Sequence, residues 1–120
     1  MGLIAVIGCG HWGKNLVRNF SSLGALAAVN DIDATLSALM SETHGVPAKS
    51  INDILADPNI DAVVIATPAT THGQIARQAL IARKHVFVEK PISLDLAEAD
   101  ELCQLSVDTG KVLMVGHLLQ

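Results

Sequence analysis

The 120-residue sequence predicts an α/β domain, a doubly wound parallel sheet of about six strands with helices on both faces. Three observations lead there. Short unbroken apolar runs alternate with longer amphipathic stretches, the rhythm of right-handed βαβ units. Aromatic residues make up only 2% of the chain, and the aliphatic residues that replace them suit strands buried on both faces. Half of the residues are hydrophobic and 17% are charged, which excludes disorder and, at this length, bounds the chain to one domain.

Each element follows in order. Leu3 to Ile7 is an apolar run ending in glycine, a central strand. The segment from His11 to Ser22 is a helix, with Leu16, Val17 and Phe20 and the following Leu23 at helical spacing, and Gly24 closes it. Ala25 to Asn30 is the second strand. Asp33 is placed to cap a helix reaching about Thr43, with Gly45 and Pro47 ending it. Ser50 and Asp53 have capping-box spacing at the start of a short helix through Leu55. After the Asp57-Pro58-Asn59 turn, Ala62 to Ala66 is a buried strand. Thr71 and Gln74 form a capping box for a helix to about Arg83, and His85 to Val88 is a strand. Asp95 and Glu98 are a further capping pair, heading a helix to about Thr109. Gly110 stops it, and Lys111 to Val115 is the last strand.

Composition removes several function classes. Twelve acidic against eight basic residues give a formal net charge of −4, with no basic cluster to displace phosphate counterions, so no nucleic-acid partner is expected. The longest apolar runs are far too short to span a bilayer, and no secretory leader pattern is present. Cys9 and Cys103 lack metal-like spacing, and His44, His85 and His117 make no ligand set with them, so no metal site is expected. A reduced, cytoplasmic protein follows.

Chemistry concentrates at the ends of the strands. Gly8-Cys9-Gly10-His11-Trp12-Gly13 matches G-x-G-x-x-G directly after a strand and at the start of a helix, the context that makes this pattern a dinucleotide-binding loop. Gly8 allows the tight turn, Gly10 lets a diphosphate approach the backbone, and Gly13 lets helix and strand pack closely. The free amides and dipole of the helix start then hold the anion. The alternative is a glycine-rich turn with no ligand. Asp31, about twenty residues beyond the loop, is placed to accept from both hydroxyls of the adenosine ribose and to repel a 2′-phosphate. With Ile32 rather than arginine beside it, the site favours NAD over NADP. Asp33 competes for that role, but its spacing suits capping better.

Thr67, Pro68 and His72 follow the third apolar strand, at the carboxyl edge where open α/β sheets bind ligands. Thr67 is a candidate donor to a cofactor phosphate or ribose. His72 either lines the same crevice or belongs to a plain turn and cap. Glu89-Lys90-Pro91 is an unusual strand tip, with a lysine that a proline can aim toward the crevice; an exposed connecting lysine is the other reading. Lys14 opposes the helix dipole in the first turn, so it is a candidate for an anionic substrate group.

Taken together, Ile7 to Gly13, Ala66-Thr67-Pro68 with His72, Glu89-Lys90-Pro91 and Val115-Gly116-His117 resemble the Gfo/Idh/MocA oxidoreductases along the whole chain. Trp12-Gly13-Lys14-Asn15, Arg18-Asn19-Phe20 and His117-Leu118-Leu119-Gln120 are most similar to the UDP-N-acetylglucosamine 3-dehydrogenases within that family. The resemblance implies a Rossmann domain over residues 1–120 that binds NAD. It implies hydride transfer between the nicotinamide and a carbinol carbon of a sugar or sugar nucleotide. Lys90 matches the family's catalytic lysine, Glu89 is implied near the nicotinamide ribose, and Pro91 shapes the turn. A C-terminal domain that binds the sugar and builds a homo-oligomer is absent from the chain, so the 120 residues alone are expected to bind NAD without turnover. A noncatalytic NAD-sensing module would keep the glycine loop and Asp31 without needing Glu89-Lys90-Pro91. A CoA-binding or purely structural domain would not need Asp31.

Overall fold

A computed structural model describes residues 3–10, 13–89 and 92–116. The elements run β1 (Ile4–Ile7), α1 (Gly13–Ser22), β2 (Leu26–Asn30), α2 (Ala34–His44), α3 (Ile51–Ala56), β3 (Ala62–Ile65), α4 (His72–Ile81), β4 (His85–Glu89), α5 (Leu96–Thr109) and β5 (Leu113–Gly116). All strand pairs are parallel, in the order β2-β1-β3-β4-β5. The order reverses at β1, which puts the switch point between β1 and β3, in line with the doubly wound sheet expected from the sequence.

Strand side chains alternate between two buried faces. Ala5, Ile7, Val63 and Ile65 pack toward α3, α4 and α5 with Ile54, Leu80 and Leu102. Val6, Val29 and Val64 pack toward α1 and α2 with Val17 and Met40. Burial on both sides is why these strands read as continuous aliphatic runs. Met114 of β5, opposite Phe87, remains 51% exposed.

The sheet has five strands among the described residues, not about six. At the outer edge of β2 the chain makes one parallel bridge, Val29 to Ala48. Val29 N–H donates to the Pro47 carbonyl (3.1 Å) and Lys49 N–H to the Val29 carbonyl (2.9 Å). Pro47 has no N–H to give and Ser50 already caps α3, so no length remains for further rungs.

The caps mostly follow the sequence. Asp33 accepts from Thr35 and Leu36 amides (3.0 and 3.3 Å), Ser50 from Asp53 (3.1 Å), and Asp95 from Ala97 (2.9 Å). Thr71 is a correction. A 3₁₀ turn over Ala69–Thr71 leads into α4, so Thr71 already has helical backbone angles and its hydroxyl donates to the Pro68 carbonyl (2.8 Å) instead of being spent on a cap. Glu98 does not reach back to Asp95 directly either. Asp95 N–H donates to Ser93 Oγ (3.0 Å), which donates in turn to Glu98 (2.5 Å). α4 ends at Ile81, before Arg83, whose φ of 63° places it in the left-handed region. Lys84 N–H closes the turn on the Ala79 carbonyl and Arg83 N–H on Leu80, the pairing of a Schellman cap with arginine where glycine is usual.

At the opposite end of the sheet from the strand tips, the buried Lys84 ammonium donates to the carbonyls of Asp57 (2.6 Å) and Ile60 (2.5 Å). Lys49 pairs with Asp57 at 2.8 Å and holds its carboxyl below the usual carboxylate range, helped by the Asn59 amide. Among the described residues no helix is long and apolar enough to cross a membrane.

Candidate functional site

The carboxyl ends of β1, β2 and β3 open into a cleft of about 590 Å³, walled by the starts of α3 and α4. Its floor is the glycine loop. Gly8 has φ +100°, and a Cβ there would sit 2.7 Å from the Ala66 carbonyl and 2.9 Å from Thr67 N. A Cβ on Gly13 would run into the Gly8 carbonyl oxygen. Both glycines are therefore demanded by the fold: one by backbone angle and the neighbouring strand tip, the other by the contact of α1 with the loop. Gly10 differs. It is exposed, lines the cleft, and a Cβ on it would meet nothing within 4 Å. Neither backbone angle nor packing among the described residues demands a glycine there, and its backbone lies open to the cleft.

Asp31 stands at the tip of β2 with its carboxylate already oriented. Oδ2 accepts from Cys9 N–H at 2.7 Å and Oδ1 from Asp33 N–H at 2.8 Å. Each oxygen keeps a lone pair for a further donor. Asp33 caps α2, the role that its spacing suggests. Ile32, between them, is 98% exposed at the cleft rim. The Cys9 thiol is fully buried, 3.4 Å from the Asn30 carbonyl, and is pushed up to about 11 by burial and by the Asp31 charge. It is a packing group with no nucleophilic character at neutral pH.

Thr67 and Pro68 line the far side of the cleft, where the Thr67 and Thr71 hydroxyls lie 2.7 Å apart. His72 is 3% exposed and is not among the residues lining the cleft. Its Nε2 lies 2.8 Å from the Thr67 carbonyl, and since a carbonyl only accepts, that nitrogen carries a proton. The ring thus sits behind Thr67 and fixes the loop that presents it. Glu89 ends β4 opposite Gly116, half-buried and outside the cleft lining. Lys14 is exposed, with no acidic residue in the first turn of α1. His11, Trp12, Lys90, Pro91 and His117 lie outside the described residues.

Sequence reasoning gave no site role to the other polar lining, namely Asn30, Ser50, Asn52, Gln74 and Gln78. They come from three separate segments, and only the exposed polar face of α4 carries a local signal. Among the described residues no three His, Cys, Asp or Glu side chains are grouped to hold a metal ion.

The GFO_IDH_MocA family profile, described as an oxidoreductase family with an NAD-binding Rossmann fold, matches residues 3–117. UDP-N-acetylglucosamine 3-dehydrogenase of Acidithiobacillus ferrooxidans is 36% identical over 114 residues, covering 94% of this chain and 36% of that protein. The crystal structure of GenD2 from gentamicin A biosynthesis, in complex with NAD, superposes with a TM-score of 0.89 at 31% identity, over 96% of this chain and 34% of that one. Biliverdin reductase from Synechocystis, in complex with biliverdin and NADP⁺, superposes with a TM-score of 0.86 at 34% identity, over 93% and 36% of the two chains. The chain spans about a third of the length of these relatives. Substrates as unlike as a nucleotide sugar and biliverdin occur on this one fold.

Proposed function

The chain belongs to the Gfo/Idh/MocA oxidoreductases as their NAD-binding Rossmann domain, and from that premise we propose that it serves an NAD-dependent dehydrogenase acting on a sugar nucleotide. The substrate is a UDP-N-acetylhexosamine or its uronic acid. Bound NAD⁺ supplies the acceptor for the hydride leaving the sugar's carbinol carbon. The Gly8–Gly10 backbone holds the diphosphate, Asp31 accepts from the ribose hydroxyls, and Thr67 offers a hydroxyl at the opposite wall. Lys90 is the catalytic residue, taking part in proton transfer at the substrate oxygen, with Glu89 next to it in the chain. The whole protein works in the cytoplasm as a homo-oligomer whose remaining residues supply most of the sugar site.

The observation that carries the cofactor half is Gly10, a cleft residue whose backbone lies open because no side chain stands over it. The sugar-nucleotide half is supported by the similarity to UDP-N-acetylglucosamine 3-dehydrogenase. Calorimetric titration of the chain tests the first half. NAD is expected to bind at least roughly tenfold tighter than NADP, because a 2′-phosphate beside the Asp31 carboxylate is repelled. Binding of neither dinucleotide overturns the reading. The second half is tested on the whole protein, by oxidation of UDP-N-acetylglucosamine against myo-inositol and by loss of turnover in Lys90→Ala.

A further inference from the structure

We propose that Asn30 is a positioning residue for the adenosine half of the cleft, its side-chain amide setting the separation between the α3 wall and Asp31. The inference rests on the dinucleotide reading above and goes beyond it by assigning a residue that no sequence pattern marks.

Because the outer edge of β2 carries only one bridge, the segment leading to α3 hangs from very few bonds. Two are backbone bonds at Val29. In a continuing parallel ladder the Lys49 carbonyl would next receive the backbone N–H of residue 31. Here it receives Asn30 Nδ2 instead, at 2.8 Å. That exchange frees Asp31 from the ladder to turn toward the glycine loop, where its carboxylate takes the Cys9 and Asp33 amides. Immediately after Lys49 come Ser50, Ile51 and Asn52, which form one wall of the cleft.

The backbone of Asn30 faces the other way. Its carbonyl accepts from Gly8 N–H at 2.7 Å and from the Cys9 thiol at 3.4 Å. A single residue therefore ties the floor of the cleft to its wall and stands next to the carboxylate between them. The role requires a donor of this reach, because the Lys49 carbonyl can only accept. Aspartate would set a carboxylate against that oxygen, and leucine would fill the space with no bond.

The test is Asn30→Leu in the 120-residue chain, with NAD and AMP titrated by calorimetry below the unfolding transition. Loss of one bond to a part-buried carbonyl that shapes the wall is expected to weaken both ligands roughly tenfold. Leu102→Ala, which removes buried bulk from α5 at a residue outside the cleft lining, is the control: it lowers the unfolding midpoint while leaving both affinities within about twofold. Should Asn30→Leu fail to fold, Asn30→Ala carries the same comparison. Unchanged affinities on substitution of Asn30, or an equal loss in Leu102→Ala, overturn this role and leave the dinucleotide reading intact. An unsubstituted chain that binds neither NAD nor AMP overturns the dinucleotide reading itself.

Discussion

Alanine at the first and second glycines of the loop should have opposite consequences. In Gly8→Ala, a residue with a Cβ must hold φ near +100° while that Cβ presses on the Ala66 carbonyl at 2.7 Å and on Thr67 N at 2.9 Å. The backbone angle costs about 1–2 kcal/mol. The contact is with main-chain atoms of a central strand tip, which cannot swing aside as a side chain would, and adds about 1–3 kcal/mol. A loss of about 2–5 kcal/mol is a large share of the stability of a domain this size and corresponds to a fall in Tm of roughly 10–20 °C. Gly10→Ala adds a methyl to open space, so stability should change by no more than about 0.5 kcal/mol. Its effect appears on ligand addition. Losing one charge-assisted bond between a backbone amide and the diphosphate costs about 1.5–3 kcal/mol, roughly ten- to 150-fold in NAD affinity. Thermal unfolding and calorimetric titration of the two variants read both quantities. Gly10→Ala melting as low as Gly8→Ala, or binding NAD as tightly as the unsubstituted chain, would refute the division of labour within the loop.

Two further outcomes follow from single residues. The folded Cys9 thiol, at about 11, stays protonated where the unfolded thiol ionises near its ordinary value of 9.0. Stability from this group is therefore complete below pH 9 and declines as pH rises toward 11, by roughly 2–3 kcal/mol. Urea unfolding at pH 8 and pH 10.5 should show that decline and should lose it in Cys9→Ala; an unaltered decline in the variant counts against the assignment. Arg83→Gly should raise stability by about 1 kcal/mol, since the left-handed angle at the end of α4 suits glycine better than arginine. A lower unfolding midpoint in that variant would show that the arginine side chain contributes more than its backbone costs.

Local chemistry is the part of this fold that its sequence displays. Asp33, Ser50 and Asp95 cap helices because a short polar side chain just before an amphipathic run has free amides within reach. Gly45 and Gly110 end helices in the left-handed region for an equally local reason. Thr71 escaped that logic because the turn before it was already helical, a fact settled by the Ala66–Pro68 strand exit and not by the residues of the cap. Arg83 escaped it because the left-handed residue closing α4 is not the glycine that marks such an end in sequence. The missing strand and the bond from Asn30 to Lys49 depend on how far two segments nineteen residues apart can run together. Periodicity says nothing of that. For the site, the position of the glycine loop and of Asp31 at the strand tips was legible because strand, turn and helix supply their own context. The His72 ring behind Thr67 was not, since either face of a first helical turn is open to it in sequence.

The Asp31 carboxylate is held from both sides by main-chain amides of its own fold. In the proposed role, a nucleotide in the cleft meets an acceptor whose rotamer is set by the fold, so its ordering entropy does not fall on the complex. Capture can then proceed without a search by this side chain, and departure leaves the acceptor aimed for the next molecule.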